Sequence, residues 1–130
     1  MFYLDTSAAV KLVVAEKGST ALRRWLIPRD GHVFSSDLLR TELLRATRRA
    51  APDQMVQARL VLDSVTLLTL STGICERAAM LEPTLMRSLD SLHLAAALEV
   101  GDSLEGLVTY DTRLSDAAES LGIGVIAPVR

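Results

Sequence analysis

Tyr3-Leu4-Asp5-Thr6-Ser7-Ala8 is the stretch that decides the fold, because a short apolar run ends there in a carboxylate and a helical pattern follows at once. Phe2–Leu4 is predicted to be the first strand, and the apolar spacing after it predicts a helix over residues 7–15. The same alternation recurs along the whole chain. Further strands are predicted over residues 32–35, 66–70, 107–110 and 123–127, and further helices over 20–27, 38–50, 52–65, 72–81, 88–100 and 115–121.

Strands that alternate with helices indicate right-handed βαβ units, which build a parallel sheet with helices on both faces. We therefore expect an α/β protein of three layers, with a central, mainly parallel sheet of four or five strands. The chain has 130 residues and no internal repeat or linker, so a single domain over residues 1–130 is predicted. In such sheets, sites form beyond the carboxyl ends of the strands, and Asp5 and Asp111 both follow predicted strands at that edge.

Four carboxylates follow or interrupt apolar segments: Asp5, Glu42, Asp90 and Asp111. An isolated carboxylate in an apolar setting either shifts its pKa and becomes neutral or pairs with a cation. Four such groups in one place would repel one another strongly unless a divalent ion lay between them. Hard oxygen ligands suit Mg²⁺ or Mn²⁺, ions that commonly act on phosphate groups. The sequence therefore predicts a metal-dependent phosphodiester enzyme, provided that the four acids meet in space.

Some of these acids have a simpler interpretation when each is taken alone. Asp90 lies in the first turn of an apolar helix, where a carboxylate compensates the helix dipole. Glu42 lies at the edge of the apolar stripe of its helix and three residues before Arg45, with which it could form a solvated pair. Asp37 and Asp116 are interpreted as acids at helix starts and are left out of the metal set.

The charge balance limits how the chain can contact a polyanion. Fourteen basic and sixteen acidic residues give a formal net charge of −2, so binding to RNA requires a local basic patch. Arg45, Arg48 and Arg49, near the end of the helix that carries Glu42, are the candidates for such a patch. Aromatic residues make up only 4% of the chain, which argues against a broad base-stacking platform.

The apolar fraction is 49%, yet no run is long and apolar enough to span a bilayer. This surplus predicts a homodimer face and a groove for a partner segment. The start of the chain lacks the pattern of a secretory signal, and one cysteine allows no internal disulfide, so a cytoplasmic location is expected. Cys75 shares a helical pattern with Ile74 and Ala78 and is predicted to be a buried, inert thiol.

Other chemistries fit the chain less well. No Gly-rich turn follows the first strand, so a Rossmann-type nucleotide site is not expected. Phosphoryl transfer through a phospho-aspartate at Asp5 usually needs a second acid two residues later, where this chain has Ser7. His93 lies three residues after Asp90 and could hydrogen-bond to it, but a histidine in so apolar a helix is predicted to be a satisfied core residue outside the catalytic set.

Four segments resemble the motifs of the PIN-domain family and, within that family, those of VapC-type toxins from bacterial toxin–antitoxin pairs. The resemblance covers essentially the full length and keeps the family's order of acids. The segments are Tyr3-Leu4-Asp5-Thr6-Ser7-Ala8, Ser35-Ser36-Asp37-Leu38-Leu39-Arg40-Thr41-Glu42, Arg87-Ser88-Leu89-Asp90-Ser91-Leu92-His93-Leu94-Ala95-Ala96-Ala97 and Val108-Thr109-Tyr110-Asp111-Thr112-Arg113-Leu114.

This resemblance implies a three-layer α/β/α PIN-like domain that cuts RNA as a metal-dependent endoribonuclease and is blocked by a cognate VapB-type antitoxin. Asp5, Asp90 and Asp111 would then be the main ligands of Mg²⁺ or Mn²⁺. Glu42 would bind a second metal ion or orient the attacking water. The alternative is a non-catalytic PIN-like scaffold that binds RNA or a protein, and the presence of all four acids argues against it.

Side chains next to the acids are expected to support such a site. The hydroxyls of Thr6, Ser7 and Thr109 are predicted to hold carboxylates or bound water, as is common around metal ligands. Ser7 could instead be only a helix N-cap. Arg113, two residues after Asp111, is predicted either to contact phosphate or to pair with an acid.

Overall fold

A computed structural model describes residues 1–129 of the chain. Its strands are β1 (Phe2–Leu4), β2 (Val33–Ser36), β3 (Thr66–Leu68), β4 (Gly106–Val108) and β5 (Val125–Ile126). They form one sheet in the order β3-β2-β1-β4-β5, and every neighbouring pair is parallel. The predicted central sheet is therefore confirmed, with five strands.

Seven α-helices connect these strands: α1 (Thr6–Val10), α2 (Ser19–Leu26), α3 (Asp37–Ala50), α4 (Met55–Asp63), α5 (Thr72–Met80), α6 (Ser88–Leu98) and α7 (Thr112–Ser120). Short 3₁₀ turns lie at Ile27–Arg29, Pro52–Gln54 and Gly101–Ser103. Within residues 1–129, none of the helices has both the length and the apolar character needed to cross a membrane. Each predicted helix is present, but α1 ends at Val10 rather than at residue 15.

The sheet separates two apolar cores, one on each face. Neighbouring residues of a strand point to opposite faces. Tyr3 belongs to the core that also contains Phe34 and the alanines of α6, whereas Leu4 belongs to the core that contains Leu39 and Leu43 of α3. Both β1 side chains are fully buried. Helices on both faces of a parallel sheet confirm the three-layer α/β/α architecture.

The topology places the ends of three strands at one edge. β1 lies between β2 and β4, where the order of strands along the sheet reverses, and such switch points open a crevice at the carboxyl ends. Asp5 follows β1, Thr109 follows β4 and Ser36 ends β2. The amide of Asp5 donates to the carbonyl oxygen of Val108 at 3.1 Å, so the pairing of β1 with β4 extends to the acid.

Cys75 is exposed, so the prediction of a buried thiol is wrong. The buried residues of α5 are Ile74 and Ala78, which lie four positions apart on one face of the helix. Cys75 follows Ile74 by one residue and is rotated by about 100° from it. Cys75 is a sequence neighbour of apolar residues but does not share the buried face of α5 with Ile74 and Ala78.

Gly106 provides a test of how tightly β4 packs against β5. A Cβ at this position would contact the Ile126 side chain and would lie 3.2 Å from the carbonyl oxygen of Gly124. Gly106→Ala should therefore lower the free energy of unfolding by about 1–3 kcal/mol, the usual cost of overpacking. Gly73→Ala is the matched control, because the nearest atom to its Cβ would be the Ser71 hydroxyl oxygen at 3.8 Å. Urea denaturation should show Gly73→Ala at or above wild-type stability, and equal stability of Gly106→Ala would contradict this packing.

Candidate active site

Asp5 is the N-cap of α1 and is almost completely buried, with 2% of its surface exposed. Its Oδ1 accepts hydrogen bonds from the Ala8 amide and the Ser7 hydroxyl, both at 2.9 Å. Its Oδ2 accepts one from the Thr109 hydroxyl at 2.5 Å and lies 3.0 Å from the Ser7 hydroxyl. Burial raises the pKa of Asp5 above its ordinary value, and the hydrogen bonds from Thr109 and Ala8 offset this only in part.

Ser7 does not cap α1, so the interpretation of Ser7 as only an N-cap is wrong. The cap is Asp5, two residues earlier. The Ser7 hydroxyl instead donates to Asp5 and accepts a hydrogen bond from the amide of Tyr110 at 2.9 Å. Ser7 thus joins the start of α1 to the chain that leaves β4.

Thr109 connects Asp5 with Asp111. Its buried hydroxyl donates to Asp5 and accepts from the backbone amide of Asp111 at 3.1 Å. Asp111 is exposed and is the N-cap of α7, where its Oδ1 accepts from the amides of Arg113 and Leu114 at 2.9 and 3.1 Å. The Thr109 hydroxyl therefore links the buried Asp5 carboxylate to the backbone of the exposed Asp111.

Asp90 lies in the first turn of α6 and is partly buried. Its pKa is raised, first by desolvation and second by the negative charge of Asp111. The charges of His93, Arg113 and Arg87 act in the opposite direction. The charge of Asp111 thus disfavours ionised Asp90, and a bound cation would offset this effect.

Glu42 lies on α3, a helix that packs against the opposite face of the sheet from α6. Its Oε1 accepts hydrogen bonds from the Thr6 hydroxyl at 2.6 Å and from Nε2 of His93 at 2.7 Å. Burial alone would raise the pKa of Glu42, but the hydrogen bonds from His93 and Thr6 outweigh it and lower the pKa below its ordinary value. Glu42 is therefore an ionised acceptor at neutral pH.

His93 has a role in the site that sequence reasoning missed. It is 4% exposed, and both ring nitrogens have partners, so the prediction of a satisfied buried histidine is confirmed. However, its partners are Glu42 and Tyr3, not Asp90. The contact with Glu42 joins residues 51 positions apart on different helices, and no local pattern in the sequence could reveal it.

The acidic side chains fall into two connected groups at this edge. The Thr109 hydroxyl joins Asp5 to the backbone of Asp111, whose charge acts on Asp90, while Glu42 accepts from Thr6, the residue directly after Asp5. Within residues 1–129, no three Asp, Glu, His or Cys side chains stand in a group that could hold a metal ion. The donor chemistry nevertheless fits a hard divalent cation, because hydrogen-bonded carboxylates are present and two of them repel each other. Convergence of all four acids on one ion stays a prediction.

Comparisons with known proteins point to one family. A family model described as PIN domain matches residues 2–120. Ribonuclease VapC46 of Mycobacterium tuberculosis is 44% identical over 126 residues, which span 97% of this chain and 96% of that protein. Ribonuclease VapC47 of the same species is 38% identical over 132 residues, spanning 98% and 97%. The crystal structure of M. tuberculosis VapC20, described as a sarcin-ricin loop cleaving toxin, aligns with a TM-score of 0.72 at 14% identity, covering 90% of this chain and 95% of VapC20. That alignment supports the fold alone.

Asp5→Asn should change how stability depends on pH in metal-free protein. A carboxyl whose pKa is raised by folding binds its proton more tightly in the folded state, so its contribution is largest below the ordinary pKa of 3.8 and is lost as the pH rises through the folded pKa. Asparagine cannot ionise. The free energy of unfolding of Asp5→Asn minus that of wild type should therefore increase from about pH 4 upwards.

Urea titrations in EDTA over a pH series measure this difference directly. The exposed Asp63, at the end of α4, offers Asp63→Asn as a control for the loss of one negative charge. A difference for Asp5→Asn that is constant or decreases with pH would show that burial does not govern the Asp5 carboxyl.

Proposed function

Because this chain belongs to the PIN-domain family, with VapC ribonucleases among its relatives, we propose that it is a metal-dependent endoribonuclease, the toxin of a bacterial toxin–antitoxin pair. In this proposal residues 1–130 form one catalytic domain. The observation that carries it is the chain of hydrogen bonds through Thr109, which brings buried Asp5 and exposed Asp111 to the same edge of the sheet, close to Asp90.

Asp5, Asp90 and Asp111 would hold Mg²⁺ or Mn²⁺, and Glu42 would bind a second ion or orient the attacking water. When bound, such an ion lowers the pKa of water and neutralises charge on the scissile phosphate. Hydrolysis by water, without the RNA 2′-hydroxyl as nucleophile, should leave a 5′-phosphate and a 3′-hydroxyl.

The chain itself supplies preorganisation. Hydrogen bonds to both oxygens hold the Asp5 carboxylate in one orientation, and two backbone amides hold that of Asp111. Carboxylates fixed in this way need little rearrangement when substrate arrives. Glu42, ionised and anchored by Thr6, is suited to accept a hydrogen bond from water.

We extend the proposal to protein partners, a cognate VapB-type antitoxin and a second copy of this chain. Large apolar side chains that a partner protein could bury are exposed in two parts of the sequence. They are Ile27, Val56 and Leu60 in and around α2 and α4, and Met80, Leu85 and Leu89 in and between α5 and α6. Leu85 is 94% exposed and Met80 is 80% exposed.

Purified protein should cut RNA in the presence of Mg²⁺ or Mn²⁺, and EDTA should stop the reaction. Asp5→Asn should lower the cleavage rate by more than about 100-fold, because loss of a ligand should exceed the 10- to 100-fold typical of residues that only support one. Gel assays of RNA fragments measure the rate, with circular dichroism to verify folding.

Asp63→Asn removes one negative charge at an exposed residue that is distant in sequence from the site residues. This variant should cut RNA at the wild-type rate. Cleavage that is indifferent to both EDTA and Asp5→Asn would contradict the metal-dependent nuclease. RNA binding without any cleavage by wild type would favour the non-catalytic scaffold.

Added Mn²⁺ should raise the melting temperature, because a ligand that binds only the folded state stabilises it. The gain reaches about 2.7 kcal/mol when the ion is at 100 times its Kd. Asp90→Asn should lose most of this gain, since it removes an oxygen ligand and the charge that repels Asp111. Differential scanning calorimetry of both proteins gives the comparison, and an undiminished gain in Asp90→Asn would exclude Asp90 as a ligand.

A further inference from the structure

A buried series of hydrogen bonds crosses the sheet edge from β2 to α3. The Ser36 hydroxyl oxygen lies 2.9 Å from the Tyr3 hydroxyl oxygen, which lies 2.8 Å from Nδ1 of His93. Nε2 of His93 in turn lies 2.7 Å from Oε1 of Glu42. Ser36 and Tyr3 are fully buried, and His93 is 4% exposed. This network takes no part in the mechanism described above except at its last member, Glu42.

The chemistry of the last member fixes the direction of the bonds. An ionised carboxylate only accepts hydrogen bonds, so Nε2 of His93 must carry the hydrogen that it donates to Glu42. In a neutral imidazole, Nδ1 is then an acceptor, and the Tyr3 hydroxyl must donate to it. A phenol is protonated at neutral pH, so the Tyr3 hydroxyl has a hydrogen for this bond. The Ser36 hydroxyl completes the series by donating to Tyr3.

The network treats the two oxygens of Glu42 differently. Oε1 accepts from both His93 and Thr6, whereas no hydrogen bond to Oε2 occurs among residues 1–129. The Glu42 side chain keeps 25% of its surface exposed. Oε1 is thus the anchored oxygen, and Oε2 is the one left for water or an ion.

The position of His93 on α6 gives this anchor a geometric consequence. His93 and Asp90 are three residues apart on the same helix, so they lie on neighbouring positions of one face. The bond from His93 to Glu42 therefore ties α3 to α6 and fixes the position of Glu42 relative to Asp90. The imidazole bonds Glu42 directly, and it shares α6 with Asp90.

We propose that His93, backed by Tyr3, is the positioning residue that holds Glu42 by Oε1 and presents Oε2 to the catalytic edge. The inference rests on the proposed ribonuclease function of that edge. His93 does not touch substrate in this role, because it is buried and both of its ring nitrogens are engaged. Its effect on the reaction passes entirely through the orientation of Glu42.

Substitutions at His93 separate hydrogen bonding from packing. Leucine replaces the buried ring with an apolar side chain that donates nothing, whereas the amide of glutamine can donate to Glu42 much as Nε2 does. His93→Leu should lower kcat by about 10- to 100-fold with little change in the KM for RNA. His93→Gln should recover a clear part of that loss. His32→Gln, at the only other histidine of the chain, which is exposed before β2, is the matched control and should behave as wild type.

A purely structural role for His93 would give the opposite order. Leucine suits a buried apolar helix better than glutamine does, so packing alone predicts that His93→Leu is the more stable and the more active variant. The proposal predicts that activity follows the hydrogen bond and not the melting temperature. Equal kcat for wild type and His93→Leu, or higher activity of His93→Leu than of His93→Gln, would overturn it.

Nitrogen-15 NMR of the imidazole in metal-free protein tests the geometry without any cleavage assay. Hydrogen on Nε2 of His93 is expected, whether or not Nδ1 also carries one. A ring with hydrogen on Nδ1 alone would overturn the proposal. This readout stands even if His93→Leu fails to fold.

The two proposals fail in distinguishable ways. Wild type that cuts no RNA, yet shows hydrogen on Nε2, would refute the ribonuclease and, with it, any catalytic role for His93. If wild type and His93→Leu both cut RNA with the same kcat, only the positioning role would be refuted. Tyr3→Phe keeps the buried ring and removes only the hydroxyl behind His93, and a kcat between those of wild type and His93→Leu is expected.

Discussion

The burial of the Asp5 carboxylate at the end of the central strand is the constraint on which the rest of this edge depends. Desolvation raises its pKa, and only donors at short distance keep a charged group tolerable there. Those donors come from two places, the first turn of α1 through Ser7 and Ala8, and the residue after β4 through Thr109. The pairing of β1 with β4 and the start of α1 are therefore tied to the same carboxylate.

The pKa values of the acids at this edge are shifted in different directions. Burial raises the pKa values of Asp5 and Asp90, and the nearby charge of Asp111 raises that of Asp90 further, whereas donors from His93 and Thr6 lower the pKa of Glu42. Environments that push pKa values apart divide chemical roles among like side chains. Glu42 is stable as an acceptor in the protein alone, while Asp5 and Asp90 gain most from a cation. This division fits the ligand set that we propose.

The sequence predicted the fold well because its signals were local. The strand before Asp5 and the helix predicted over residues 72–81, which Ser71 caps by accepting from the Ile74 amide at 3.2 Å, follow from neighbouring residues. Predictions were less successful where the outcome depended on which face of a helix is covered, as for Cys75. The bond between Glu42 and His93 was out of reach, because it depends on how α3 and α6 approach the sheet edge from opposite sides.

The short strand β1 organises both halves of the site through its alternation. Leu4 enters one core and Tyr3 enters the other, and Asp5 follows directly after Leu4 with extended backbone. Asp5 gathers the hydroxyls of Ser7 and Thr109. Tyr3 supports the histidine that anchors Glu42. Because a strand cannot shift by one residue without exchanging its two faces, the register of β1 fixes both the buried carboxylate and the buried phenol at once. The acids contributed by α3 and by the end of β4 are thus positioned from a common strand, which explains how so short a chain can bring distant parts of its sequence to one edge.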